Sequence, residues 1–372
     1  MSNQKGYDCA IIGGGLAGLC LAIQLAQQGH GVVLIEKNTY PFHKVCGEYV
    51  SMESWEFLMR LGLPLDTLNL PRITNVQVTA QNGYTASTAL DMGAFGISRY
   101  TLDFELSKLA KQAGVHVIEN CKATDVKLNN ETYYITTTQG NYTAKLTCGS
   151  YGKITPTFIT KPIANKGSYI GVKYHIKTSF PTDVIALHNF KNGYCGISKI
   201  DNDTFCLCYL TTTKNLQDNN NDIKLLEKNV LMQNPHLYKL FTEATFLFDK
   251  PLAISNISFN KKSTYVNDVL MLGDAAGAIA PLCGNGMSIG MRASKLLANN
   301  INQYLQNYIT KQQLITNYTT KWNANFSARI KIGYYLQHLF GKRFSTLWSL
   351  KLLNNLPFLF KKIVSLTHGK SF

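Results

Sequence analysis

Three glycines near the start of the chain, Gly13, Gly15 and Gly18, satisfy G-x-G-x-x-G within YDCAIIGGGLAGLCLAIQLAQQGHGVVLIEK. Each suits one task. Gly13 permits a tight turn out of a strand, Gly15 lets backbone approach a pyrophosphate, and Gly18 lets a helix pack closely on a sheet. Leu16 and Ala17 open that helix, whose unpaired N–H groups and positive dipole end attract phosphate. Glu36 follows Gly18 by 18 residues, with Lys37 behind it. The carboxylate can accept from ribose hydroxyls and would repel a 2′-phosphate, which points to an unphosphorylated adenosine ribose, as in FAD or NAD. The glycine pattern alone is a weak signal; here strand, helix, second strand and acid occur in register.

A second constellation lies some 255 residues further on, in DVLMLGDAAGAIAPLCGNGMSIGMRAS. A buried strand is broken by Gly273, and Asp274 follows. Then come small residues, Pro281, and Gly284, Asn285, Gly286 and Met287 at a helix start. An acid at a strand end can hold a polyol. A glycine-rich helix start can hold an electron-rich carbonyl, because its N–H groups are unpaired. A flavin needs both, for its ribityl chain and its pyrimidine edge.

The two constellations together resemble the class A flavoprotein family, which includes p-hydroxybenzoate hydroxylase, geranylgeranyl reductases and flavin halogenases. The resemblance covers nearly the whole chain. It implies FAD as cofactor, with NAD(P)H as a candidate electron donor. Asp274 then binds the ribityl chain, and Gly284 to Met287 line the flavin carbonyl edge. ISRYTLDFEL resembles the family's R-x-x-L/F-D-x-x-L segment, which puts Arg99 against the cofactor; a structural ion pair is the rival reading. KVCGEYVS, Lys44 to Ser51, resembles the Cys-Gly motif of the geranylgeranyl-reductase-like branch. By that likeness Cys46 sits beside the ring, with Gly47 and Glu48 in the wall. Cys46 and Glu48 are the candidate catalytic residues, Cys46 to tune the flavin or donate a proton and Glu48 as general acid or base. The rival readings are a packed thiol and a cap on the helix near Ser51.

The chain departs from the hydroxylases where their middle motif carries Asp-Gly. The stretch here reads TCGSYGKIT, without the Asp, which argues against ordinary NADPH docking. The halogenase W-x-W-x-x-P is absent; the tryptophans are Trp55, Trp322 and Trp348. The Cys46 motif and the missing Asp favour a dehydrogenase or reductase acting on a lipophilic or aromatic molecule. A monooxygenase of secondary metabolism is the close second, and a non-catalytic flavin-binding module is the rival of another class.

The elements that must position these residues are α/β: a glutathione-reductase-like Rossmann FAD domain with an inserted, mostly antiparallel β substrate domain and a C-terminal helical region. The FAD domain is expected from residues 1–75, 96–160 and 264–305. Residues 76–95 and 161–263 form the substrate domain, and 306–372 the basic helical end. A helix is expected over Ser51–Leu61, and another over Leu102–Ala113 starting at Thr101 or Asp103. The runs from Tyr169 to Leu210 form an antiparallel roof over the flavin. Tyr169, Tyr174, His175, His188 and Tyr194 are its candidate ligand contacts.

Composition narrows the partners. The formal charge is +15, and after Asp274 come 98 residues with twelve Lys or Arg and no acid. One-signed ends suit an anionic partner, here a membrane surface or an acidic carrier protein, or else a solvated basic face. Nucleic acid is excluded for want of a recognition motif. The tail from Phe344 to Leu366 is interrupted too often to span a bilayer, though it can lie on one. Nine cysteines without a CxxC pair read as reduced thiols. No signal peptide is evident at the start, so the expected location is cytoplasmic, with a peripheral place at the inner face of the membrane as an option. No metal site and no hydrolase motif is expected.

Overall fold

In a computed structural model the described residues are 6–159, 168–257, 259, 262–278 and 284–372. Pro281 lies outside them. The chain opens with β1 (Gly6–Ile12), α1 (Leu16–Gln27) and β2 (Val32–Ile35). Next come β3 (Tyr49–Ser51), α2 (Trp55–Leu61), β4 (Arg72–Thr79), β5 (Thr85–Gly96) and α3 (Arg99–Gln112). Strands β6 (His116–Ile118), β7 (Ala123–Asn129), β8 (Thr132–Thr137) and β9 (Gly140–Gly149) follow. The roof is β10 (Tyr169–Lys177), β11 (Val184–Phe190), β12 (Gly193–Lys199) and β13 (Phe205–Thr212). Three short helices, α4 (Thr213–Gln217), α5 (Ile223–Asn229) and α6 (Pro235–Glu243), precede β14 (Thr245–Phe246) and β15 (Leu252–Ile257). The end comprises β16 (Tyr265–Val266), β17 (Val269–Met271), α7 (Gly286–Leu305), α8 (Lys311–Leu339), α9 (Arg343–Asn355) and α10 (Pro357–Thr367).

One sheet runs β16-β17-β9-β1-β2-β6, with β8 also paired to β9 and β7 to β8. Its centre is parallel, β9-β1-β2-β6, as the strand–helix–strand start requires. Val32 to Ile35 are all buried, as expected of a strand covered on both faces. The second sheet runs β14-β10-β13-β12-β11-β4-β5-β3 and is mostly antiparallel; β11 and β4 pair in parallel. Helices α4 to α6, absent from the sequence expectations, cover its outer face. Tyr174, Tyr209 and Leu207 pack there with Leu226, Leu237 and Leu240.

Two expected helix starts shift. The helix over Ser51–Leu61 begins as strand and a tight 3₁₀ turn, Met52–Ser54, because the Ser51 side chain accepts from Glu53 N–H at 3.3 Å. The next helix is capped by Ser98 rather than Thr101 or Asp103; Ser98 Oγ accepts from Thr101 N–H at 3.1 Å. Of the roof candidates, His188 is structural. Its Nδ1 lies 3.0 Å from Thr79 Oγ1, and its ring stacks on His236 at 5.1 Å. Burial, then the neighbouring His236, pushes its pKa down to about 3. The unfolded chain takes up this proton near pH 6.5 and the fold refuses it until about 3. Stability should therefore fall as pH drops from about 6.5 toward 3. Thermal melts across that range should show His188→Asn with a shallower loss than the parent.

Candidate active site

Strand β1 ends in the turn that the glycines were expected to make. Gly13 has φ +103°, and a Cβ there would meet the Ser150 carbonyl oxygen at 2.5 Å. Gly18 is closed tighter still, with a Cβ position 2.3 Å from the Gly13 oxygen. Helix α1 begins at Gly15 without any side-chain cap, so its first N–H groups face outward. Two cations converge there: a Cβ on Gly15 would lie 3.7 Å from Lys44 Nζ and 4.0 Å from Arg99 Nη2. Both are held by buried Asp103. Arg99 donates to it twice, at 2.8 and 2.7 Å, and Lys44 once at 2.9 Å. Burial alone would raise the Asp103 pKa, but Arg99 and Lys44 outweigh it and hold the carboxylate ionised. Two positive charges against one negative leave a net cationic pocket at an uncapped helix start, which suits a pyrophosphate. Arg99 makes the ion pair of its rival reading, with its guanidinium beside Gly15. Lys44 had no such expectation, although it stands in the quoted KVCGEYVS segment.

Glu36 is buried at the end of β2. It accepts from Gly14 N–H at 2.8 Å, from Asn38 N–H at 3.0 Å and from Asn38 Nδ2 at 2.7 Å. These bonds fix its orientation and leave acceptor capacity on its oxygens for ribose hydroxyls. Lys37 points into solvent beyond it.

The second half of the site meets the first through small residues. A Cβ on Gly273 would lie 3.2 Å from Ala17 Cβ, and one on Gly290 3.4 Å from the same atom. Asp274 follows β17 within a 3₁₀ turn, Gly273–Ala275. Helix α7 starts at Gly286 after Asn285, again with no side-chain cap. Asn285 Oδ1 is buried without a hydrogen-bond partner, while its Nδ2 donates to the Thr367 carbonyl at 2.6 Å. An orphaned acceptor and open N–H groups at this helix start fit a ring edge that both donates and accepts. Cys46 closes the gap between the halves, with Sγ 3.8 Å from Met287 Sδ.

Glu48 is fully buried at φ +55° and ties the halves of the molecule together. Oε1 accepts from Arg99 N–H at 2.7 Å and from Lys173 Nζ at 2.5 Å, and Oε2 lies 2.6 Å from His175 Nε2. It therefore caps α3 and not the helix after Ser51. Burial would raise its pKa, but His175 and Lys173 outweigh that and hold it low. Alternation along β10 explains the pairing: Lys173 and His175 face Glu48, whereas Tyr174 between them donates to Glu227 at 2.7 Å on the outer face. Among the five roof candidates only His175 joins this cluster. Tyr169 packs on Phe259, and Tyr194 sits in a small core with Leu210 and Ile257. Lys173 was missed. Its signal was present, a lysine inside the apolar run YIGVKYHIK, because a buried lysine requires a partner. Glu48, His175 and Cys206 bring ligand-type atoms within 4.8 Å of one another. With the Lys173 ammonium already on Glu48, a further cation there would meet like charge.

Beside the site, β4, β5 and β11 and the helices α8 to α10 enclose an apolar cavity of about 250 Å³. Leu187, Phe340, Leu353 and Phe360 line it, and Tyr49 and Gly284 stand at the end nearest the α7 start.

A model for FAD-dependent oxidoreductases matches residues 8–44, and one for squalene epoxidase matches residues 194–332. The chain is 23% identical to conditioned medium factor receptor 1 of Dictyostelium discoideum, covering 87% of this chain and 69% of that protein. It is 24% identical to the 1H-pyrrole-2-carbonyl-[peptidyl-carrier protein] brominase of Pseudoalteromonas luteoviolacea, covering 82% and 79%. Among solved structures, the flavin-dependent brominase Bmp2 superposes with TM-score 0.80 at 19% identity, over 98% of this chain and 93% of that one. PqsL of Pseudomonas aeruginosa, described as a probable FAD-dependent monooxygenase, gives 0.75 at 14%, over 93% and 100%. Glycine cradle, cation pair and matched models together define the class: the protein is an FAD-dependent oxidoreductase. Its fold is the one shared by flavin halogenases and flavin monooxygenases.

Proposed function

We propose that the enzyme is a flavin monooxygenase acting on a lipophilic or aromatic substrate held in the cavity beside Tyr49. The carrying observation is that cavity: about 250 Å³, apolar on nearly every side, with one end at Tyr49 and Gly284, next to the α7 start. The squalene epoxidase match over 194–332 and the monooxygenase fold support oxygen transfer over simple hydride exchange. Bound there, FAD would supply the redox chemistry between a donor such as NAD(P)H and dioxygen. The protein's part is to bind and to exclude water. Lys44, Arg99 and the α1 start hold the pyrophosphate, and Asp274 the ribityl chain. The α7 start, Gly284 to Met287, takes the ring edge. We assign Cys46 to the ring wall and Glu48 to positioning: with both oxygens engaged and its pKa held low, Glu48 orients Arg99 and β10 better than it exchanges protons.

A reductase is the second reading. Cys46 supports it: its thiol lies 3.8 Å from Met287 Sδ, at the α7 start that we assign to the ring edge. Rapid mixing of the reduced holoenzyme with oxygen separates the two. Monooxygenation predicts a transient flavin spectrum before the oxidised one returns; single-phase reoxidation would favour the reductase. Leu353→Trp should fill the cavity and abolish substrate-stimulated turnover while FAD stays bound, and unchanged turnover would remove the cavity from the reading.

A further inference from the structure

Helices α9 and α10 have two apolar faces. The inner one, with Leu353, Phe360 and Val364, lines the cavity. The outer one is in water: Phe344 is 73% exposed, Trp348 67% and Phe358 71%. Phe344 and Trp348 lie one turn apart along α9, and Leu352 on the next turn is half exposed while its inner side reaches the cavity. Lysines border these residues. Lys342, Lys351, Lys361 and Lys362 are all exposed, and Lys351 Nζ lies 5.2 Å from the Trp348 ring centroid. Asp91 pairs with Lys361 at 2.6 Å, and no acid follows Asp274 in the sequence. Among the described residues no helix is long and apolar enough to cross a membrane.

We infer that the outer face of α9 and α10 docks the enzyme on an anionic bilayer surface, with the cavity opening behind the docked helices. The inference rests on the lipophilic-substrate reading and names the partner from which that substrate comes. Charge alone would match an acidic carrier protein equally well. Three large rings in water set the two apart, because they gain by entering an apolar phase. Aromatic side chains beside lysines are the arrangement that sits at the headgroup boundary, rings below and ammonium groups among phosphates. The same helices then serve both sides, anchoring outward and walling the substrate inward.

The test is co-sedimentation of the FAD-loaded enzyme with vesicles of phosphatidylglycerol and phosphatidylcholine, against phosphatidylcholine alone. Binding is expected to the anionic vesicles, weakening as salt screens the lysines. Trp348 emission should move to shorter wavelength, a shift absent in Trp348→Ser; Trp55 and Trp322 are already buried. The triple variant F344S/W348S/F358S should bind roughly tenfold more weakly or worse while keeping its flavin and its turnover of a detergent-dispersed substrate. No vesicle binding at low salt, equal binding by the triple variant, or capture only by an acidic carrier protein would overturn the proposal. Lipophilic turnover in detergent without vesicle binding would overturn it and leave the proposed function standing; loss of that turnover in the parent would remove the function reading instead.

Discussion

Glu48→Gln should destabilise the holoenzyme by about 3–5 kcal/mol, the usual cost of removing one partner from a buried ion pair. The side chain is fully buried, and its two oxygens meet three groups from two separate parts of the chain: Arg99 N–H at the start of α3, and Lys173 Nζ and His175 Nε2 from β10. An amide presents one acceptor oxygen and an NH₂ group, so either orientation leaves the Lys173 ammonium without a counter-charge, and the one that turns the NH₂ toward it also removes its acceptor. Lys173, also fully buried, keeps only the Lys44 carbonyl at 3.2 Å. Chemical denaturation with FAD bound measures the loss, and the double variant Glu48→Gln/Lys173→Met should recover part of it by removing the stranded ammonium. A single-variant loss under 1 kcal/mol would show that the cluster does not hold the sheets together. The pH dependence has a definite sign. The folded pKa of Glu48 lies below its unfolded value, so its contribution is present above about pH 4.3 and is lost as pH falls through the folded value. Glu48→Gln should flatten that limb of the stability curve. The limb assigned to His188 lies at higher pH and should persist.

Gly18→Ala is the second large effect. The added Cβ would lie 2.3 Å from the Gly13 carbonyl oxygen, 3.0 Å from Ser150 Oγ and 3.1 Å from Ser150 Cβ. The nearest obstacle is backbone, so relief requires the turn itself to open. Overpacking of this kind costs about 1–3 kcal/mol. Where that strain falls on the bound state, it weakens FAD by roughly 5- to 150-fold. Flavin content of the purified protein and FAD titration of the apoprotein read the effect. Gly6→Ala is the matched control, since its Cβ would meet only Thr143 Oγ1 at 3.9 Å. Equal flavin retention in both variants would mean that the glycine turn is not the phosphate cradle.

Much of this site was legible in the sequence because local chemistry is written in local order. A turn needing positive φ calls for glycine, as at Gly13. An acid meant for a ribose is expected at the end of the second strand, and Glu36 stands directly after β2. A helix start must be uncapped to offer N–H groups, and Gly15 and Gly286 open α1 and α7 accordingly. Spacing also showed that β10 to β13 form a sheet. It did not show the helices from Thr213 to Glu243, which are too short for a clear 3.6-residue period.

What the sequence determined by itself was therefore the cofactor class and the two glycine-rich segments that we assign to the flavin. Only the tertiary structure decided how those segments meet. Ala17 packs on Gly273 across more than 250 residues, and Lys44 reaches Gly15 through Asp103. It also supplied the partners of Glu48. A carboxylate after Cys-Gly reads as a proton-transfer group until Lys173 and His175, over 120 residues away, are seen to occupy it. The cavity under α9 and α10 belongs to the same category. The reason is common to all three: a side chain's chemistry depends on the charges and the burial around it, and those are supplied by residues that only folding brings near.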